Sequence, residues 1–313
     1  MRINDTPVLE TLPETIDAFW QEDARSLGAL LRLDRAAIAT GTAGPLVLSQ
    51  CMRWMALHRG GPYWVRPKFG RETVDVPEDT QYFLWQRDGG YGLILPIVDG
   101  DVRASLRGTE DGLVLDAGGA LPGQEPAHAD LAFVAVGPDP YELTRQAVAA
   151  VARHTRSFRT REEKTMPEFV SYLGWCTWDA FYHTVDHEKV IAGLRSFREG
   201  GVPPGFMILD DGWLDRTGDM LNSFDAHPEK FPRGLAGLVS EAREEYGLRL
   251  FACWHAFEGY WAGLNPDGAL AEDYELVDNE AVIRPWAGDD IVQLHLVHPR
   301  DIHRFYADFY RKL

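Results

Sequence analysis

Cysteine is scarce in this 313-residue chain, at three residues: Cys51, Cys176 and Cys253. The number is odd and no two stand as Cys-x-x-Cys, so there is no disulfide framework to propose. A reduced, cytoplasmic protein is the plain reading. Basic residues are also outnumbered, 31 against 48 acidic, for a net charge of −17. Such a surface repels nucleic acid, anionic lipid and phosphorylated ligands, and is indifferent to neutral ones. No basic stripe interleaved with aromatics offsets this. No apolar run approaches membrane-spanning length, and Met1 to Asp17 mixes charges and prolines with isolated apolar residues, with no signal-peptide core. Internal repeats, low-complexity segments and a strand–GxGxxG–helix nucleotide signature are likewise missing.

What is present is 45% hydrophobic, enough to bury a core and long enough for two domains. Residues 1–165 read as mostly β. Gln81 to Gln86, Gly92 to Val98, Val102 to Arg107, Gly112 to Leu115 and Leu131 to Gly137 are short apolar or alternating runs. Asp88-Gly89-Gly90, Asp99-Gly100 and Asp111-Gly112 lie between them, and Asp-Gly between such runs is a hairpin signal. A β-sandwich is expected. Asp139-Pro140-Tyr141-Glu142 then predicts a linker helix over about 139–153, with Asp as N-cap and Pro at the first helical position. Its apolar stripe is Leu143, Ala147, Ala150 and Val151, and His154 to Thr165 reads as the connection onward.

From residue 166 the rhythm becomes strand, helix, strand, helix. Tyr172 to Trp178, Phe206 to Asp210 and Leu250 to Trp254 predict three strands. Asp186 caps a helix with Val190, Ile191, Leu194 and Phe197 on one face, closed by Gly200-Gly201. A second helix uses Leu235, Leu238, Val239 and Ala242 and stops at Gly247. A third, Asp301 to Leu313, turns Ile302, Phe305, Tyr306 and Phe309 inward. Alternating strands and helices imply parallel βα units, in a (β/α)8 barrel or a doubly wound sheet. The stretch 166–313 is short of the ~250 residues of a whole barrel. The expected fold class is therefore multidomain β plus α/β: an amino-terminal β-sandwich followed by the first part of a (β/α)8 barrel, truncated.

Two blocks, Gly174-Trp175-Cys176-Thr177-Trp178-Asp179 and Asp210-Asp211-Gly212-Trp213, place indoles and carboxylates at the ends of neighbouring strands, where barrel active sites are built. An indole face suits the C–H face of a sugar ring, and a carboxylate accepts hydrogen bonds from two hydroxyls. The blocks read as one wall of a carbohydrate pocket. Alone, Asp-Asp-Gly is usually a turn. Trp175 and Trp178 are pocket or core aromatics, and alternation denies them a shared face. Asp179 either lines the site or turns the chain. Trp254, His255, Tyr260 and Trp261 form either a packed loop or an aromatic mouth for stacking. His255, His295, His298 and His303 have a weak metal spacing that no Cys or carboxylate completes, and surface or capping histidines are the plainer reading. Cys176 and Cys253 read as buried thiols.

The chain resembles the raffinose synthase and seed imbibition protein-like group of the glycoside hydrolase family 36 α-galactosidases. The matching blocks are the two above with Tyr63 to Gly70, Val76 to Gln81, Leu95 to Ala104, Gly137 to Tyr141, Gly200 to Pro204 and Trp254 to Trp261. The resemblance implies retaining chemistry on α-galactosides, with water as acceptor in an α-galactosidase or a sugar such as sucrose in a galactosyltransferase. It implies that Asp210 and Asp211 hold galactose hydroxyls and that Trp175 and Trp213 line the sugar. The family's nucleophile lies in a Lys-x-Asp motif and its acid/base Asp lies later. The sequence has no Lys-x-Asp, so both are expected beyond Leu313, no catalytic residue is expected here, and the chain alone is expected to be inactive. The implied partner is a small neutral sugar or oligosaccharide with a terminal α-galactose; no metal or organic cofactor is implied. A non-catalytic sugar-binding fragment and a metal-dependent barrel hydrolase are the alternatives.

Overall fold

The computed structural model describes residues 1–19, 27–34, 41–100, 102–119, 128–284, 288 and 290–313. Asp101, in the Leu95 to Ala104 block, lies outside the described residues. The chain divides into two compact units, Met1–Lys164 and Thr165–Leu313.

The first unit is built on a 12-stranded, antiparallel sheet. The strands Gly28–Asp34, His128–Gly137, Gly90–Pro96 and Thr80–Arg87 lie side by side in that order. Thr80–Arg87 also pairs with Arg53–Arg59, which carries Val65–Gly70 on its other side. The Asp-Gly signals mark real reversals: Arg87 pairs with Gly90, Asp99 with Val102 and Thr109 with Gly112. Gly89 takes φ 74°, a left-handed turn conformation that costs glycine nothing. Strand alternation feeds two cores. Phe83, Trp85, Ile94, Leu31 and Val134 enter one, while Leu30, Leu93 and Phe133 enter the other beneath helix α1 (Pro140–Thr155). The Asp139 carboxylate accepts from the Tyr141 and Glu142 amides, and Leu143, Ala147, Ala150 and Val151 are buried against the sheet.

The second unit has a three-stranded parallel sheet, Gly174–Cys176, Phe206–Leu209 and Leu250–Cys253 in that order. Helix α2 (His187–Glu199) follows the first strand, α3 (Gly234–Tyr246) the second, and α4 (Ile302–Lys312) ends the chain. The Asp186 carboxylate caps α2 through the Lys189 amide, and Gly247 ends α3 at φ 71°. Met207 and Leu209 are fully buried against the helices, with Val190 and Leu194 of α2 and Leu238 and Ala242 of α3. At about 25 cal/mol per Å2, each of the larger side chains, Val, Leu and Met, contributes about 1.5–3 kcal/mol, so this layer fixes the strand ends that carry the polar residues. Two features were not foreseen: antiparallel ribbons pairing Leu214–Thr217 with Met220–Ala226, and Leu276–Ala281 with Val292–Val297. Their strands intersperse polar residues among the apolar ones, so the unbroken apolar run that revealed the second and third parallel strands is missing. No helix among the described residues is long and apolar enough to cross a membrane.

The first parallel strand is shorter than its apolar run predicts. It stops at Cys176 because the buried Thr177 accepts the Asp210 amide on Oγ1 at 3.0 Å, and Trp178–Phe181 then makes one helical turn. Trp178 therefore lies past the strand as the first residue of that turn, half-buried, and Asp179 is an exposed first-turn acid beside it.

Candidate functional site

The polar residues gather where the first and second parallel strands end. Cys176 pairs with Ile208, two residues before Asp210, so all three point to the face opposite the helices. The Cys176 thiol donates to Asp210 Oδ2 at 2.9 Å, and the Asp211 amide donates to Asp210 Oδ1 at 2.7 Å. Cys176 is exposed, contrary to the buried thiol expected, because that face is open. Partial burial and the Asp210 carboxylate push its thiol up from the ordinary value. Cys253, on the helix side, is raised to about 12 by burial.

The two adjacent carboxylates have different environments. Asp210 is half-open, whereas Asp211 is 3% exposed. Tyr260 donates its hydroxyl to Asp211 Oδ1 at 2.7 Å and Trp261 its indole N–H to Oδ2 at 3.0 Å. His183 Nδ1 is 3.7 Å from Oδ2. Burial, and then the Asp211 carboxylate, raise the Tyr260 phenol, which stays a donor. The Arg216 guanidinium covers the Tyr260 ring at 5.0 Å. Asp211 thus ties the 260s loop beneath the open carboxylate.

The aromatic residues separate. Trp175 faces the helices: a Cβ on Gly193 of α2 would meet its ring at 2.3 Å, and Phe197 packs edge-on at 5.3 Å. It is a sheet–helix spacer and does not line the open face, as alternation with its neighbour Cys176 requires. Trp213 is wholly buried, with its indole N–H on the Trp254 carbonyl at 2.7 Å, so its ring has no face to offer a ligand. Tyr260 is buried too, and supports Asp211 instead of forming a mouth. His255 turns toward α4, 3.1 Å from the Tyr310 hydroxyl and edge-on to Phe309. It lines, with Phe251 and Cys253, a cleft of about 720 Å3 against α3 and α4 that also carries Asp225, Arg243 and Lys312. Alternation along the third strand puts this cleft on the side away from Asp210, so volume is a poor guide to the polar site. Trp254 and Trp261 remain half-buried, their rings 5.4 Å apart. Trp178 meets Tyr182 and His183 edge-on, each at 5.1 Å, and His183 leads back to Asp211.

Several contributors are not acids or aromatics. Thr177 anchors the Asp210 amide, and Lys230 donates to the carbonyls of His183 at 2.7 Å and Gly212 at 2.8 Å. Gly212, at φ 113°, sits so close to the His183 backbone that a Cβ would meet it at 2.8 Å. Thr177 and Gly212 stand inside the two blocks with no role of their own legible there, and Lys230 stands outside both. Among the described residues, no three His, Cys, Asp or Glu side chains form a group that could hold a metal ion. His295 instead contacts Asp278 at 2.8 Å, and His298 accepts the Arg300 amide.

Comparison with known proteins gives a consistent picture. The family model described as raffinose synthase or seed imbibition protein Sip1 matches residues 42–231 and 222–313. Probable galactinol–sucrose galactosyltransferase 6 of Arabidopsis thaliana is 30% identical over 307 residues, which cover 83% of this chain and 41% of that protein. Stachyose synthase of Pisum sativum is 35% identical over 215 residues, covering 67% of this chain and 24% of its own length. The chain thus spans about two fifths or less of these relatives, 41% and 24%. Among solved structures, a variant of the GH36 α-galactosidase AgaA of Geobacillus stearothermophilus in complex with raffinose superposes with TM-score 0.50 at 16% identity, covering 90% of this chain and 42% of that one. That similarity concerns the fold, which is the class expected from the sequence.

Proposed function

Because the chain belongs to the raffinose synthase and seed imbibition protein family, we propose that its second unit supplies the galactose-holding part of an enzyme that processes α-galactosides with retention. The observation that carries this is the asymmetry of the paired acids. Asp210 is the open acceptor, and Asp211 the buried hub that fixes it. A carboxylate has about four lone-pair positions. The Cys176 thiol and the Asp211 amide take two on Asp210, which leaves room for two sugar hydroxyls. Trp178 offers the aromatic wall and Trp254 and Trp261 a second surface, with Asp179 at the rim. Trp175, Trp213, Tyr260 and His255 act behind the site as spacers and supports.

Neither acid is assigned to the reaction. A retaining pair stands about 5–5.5 Å apart across the scissile bond, one member attacking and the other donating a proton. Asp211 is buried under two donors, and the sequence offers no Lys-x-Asp. The ligand is a small neutral sugar or oligosaccharide with a terminal α-galactose, and the acceptor is water or a second sugar. Calorimetry with galactose tests the assignment. Asp210→Asn weakens binding at least about tenfold, roughly 1.4 kcal/mol, without unfolding the protein. Unchanged affinity in Asp210→Asn removes the reading.

A further inference from the structure

Lys230 lies outside both aromatic-acidic blocks, yet its side chain joins the loops that carry them. Its ammonium donates to the carbonyl of His183, in the loop after the first strand, and to that of Gly212, in the loop after the second. Its own carbonyl accepts the His187 amide at 3.0 Å, at the start of α2. Phe231, the next residue, is 2% exposed in the core, and the His227 amide donates to the Trp213 carbonyl at 2.8 Å. The segment from His227 to Phe231 is thus a strut fixed at both ends, with one cation at its tip. Burial, with Arg216 and Lys189 nearby, lowers the lysine from its ordinary value, so the charge is held there at a cost.

The loops it joins hold the two halves of the proposed site. Trp178 lies edge-on to His183 at 5.1 Å, and Gly212 directly follows the Asp210–Asp211 pair. We infer that Lys230 is a positioning residue, a cationic staple that sets the gap between the Trp178 wall and the Asp210 carboxylate. Two main-chain carbonyls are suitable anchors, because they report backbone position directly and an ammonium has three donors to share among them. Without the staple the loops stay joined at the strand ends by the Thr177–Asp210 hydrogen bond. Further out they keep only the Gly212–His183 packing, which limits how near they come, and the 3.7 Å approach of His183 to Asp211, which is longer than a hydrogen bond. A sugar held between ring and carboxylate needs their separation limited in both directions, and displacements near 1 Å are enough to lose oriented hydrogen bonds.

This inference rests on Asp210 being the sugar-binding carboxylate, so the test carries both variants. Galactose affinity is measured by calorimetry, well below the unfolding midpoint, on the full chain and on Lys230→Met, Lys230→Arg, Asp210→Asn and Leu238→Ala. Leu238 is fully buried on α3, and its variant controls for loss of stability alone. The expected result is a tenfold or greater loss in Lys230→Met, recovery of at least half of that loss, on a logarithmic scale, in Lys230→Arg, and unchanged affinity in Leu238→Ala. If Lys230→Met fails to fold, Lys230→Gln is judged by the same criterion. Lys230→Met with unchanged affinity, beside a weakened Asp210→Asn, overturns the staple and leaves the sugar site intact. An unchanged Asp210→Asn overturns both. An equal loss in Leu238→Ala shows the lysine effect to be general destabilisation and also overturns the staple.

Discussion

Replacing Tyr260 by Phe removes a single oxygen from the interior of the second unit. That hydroxyl donates to Asp211 Oδ1 at 2.7 Å, with the tyrosine 1% and the aspartate 3% exposed. The ring itself keeps its edge-on contact with Trp254 at 6.1 Å and its place under Arg216, so the cavity contribution is small. What is lost is one hydrogen bond to a charged group, worth about 1.5–3 kcal/mol, and the carboxylate remains buried with one donor fewer. The expected cost is about 2 kcal/mol. For a unit of this size that lowers the melting temperature by about 4–8 °C. Thermal unfolding followed by near-ultraviolet circular dichroism measures it. A double-mutant cycle with Asp211→Ala isolates the pair, with an expected coupling of about 1–2 kcal/mol. A Tyr260→Phe cost below about 0.5 kcal/mol, together with zero coupling, would refute the assignment of Asp211 as the buried hub.

Further outcomes follow from the same geometry. Gly193→Ala drives a methyl into the Trp175 ring and should destabilise by about 1–3 kcal/mol, while Trp175→Phe leaves galactose affinity unchanged; loss of binding in Trp175→Phe would return that indole to the pocket. Alkylation by iodoacetamide at pH 8 should label Cys176 slowly and spare Cys51 and Cys253, which burial raises to about 11 and about 12. Asp210→Asn removes the negative charge that helps raise the Cys176 thiol, so peptide mapping should show faster labelling at fixed pH. Arg284 holds the Asp219 carboxyl below its usual range. Its stabilising effect is therefore complete above about pH 4 and lost as pH falls through the depressed folded value; Arg284→Ala should flatten that part of the acid-unfolding profile.

The local framework is legible in the residues themselves. Asp139-Pro140, Asp186 and Gly247 set helix ends, and the Asp-Gly pairs set hairpins, because caps and turns are decided by a few neighbouring residues. Apolar periodicity was enough for α2, α3, α4 and the second and third parallel strands, and the aromatic-acidic blocks were enough to locate the strand ends that matter. Which side chain faces which way at those ends was decided only by tertiary structure. Asp210 and Asp211 are chemically identical neighbours, yet one lies half-open and the other is closed over by Tyr260 and Trp261, from about 50 residues away. Either indole, Trp175 or Trp178, could stack on a sugar and the family resemblance favours the first, but the strand's pleat sends Trp175 into α2, and Thr177 turns the chain before Trp178. Lys230 carries no motif, and its two carbonyl partners lie 47 and 18 residues upstream. Hydrogen bonds between distant segments, formed as the loops close over the strand ends, separate the residues that can meet a ligand from those that hold them in place.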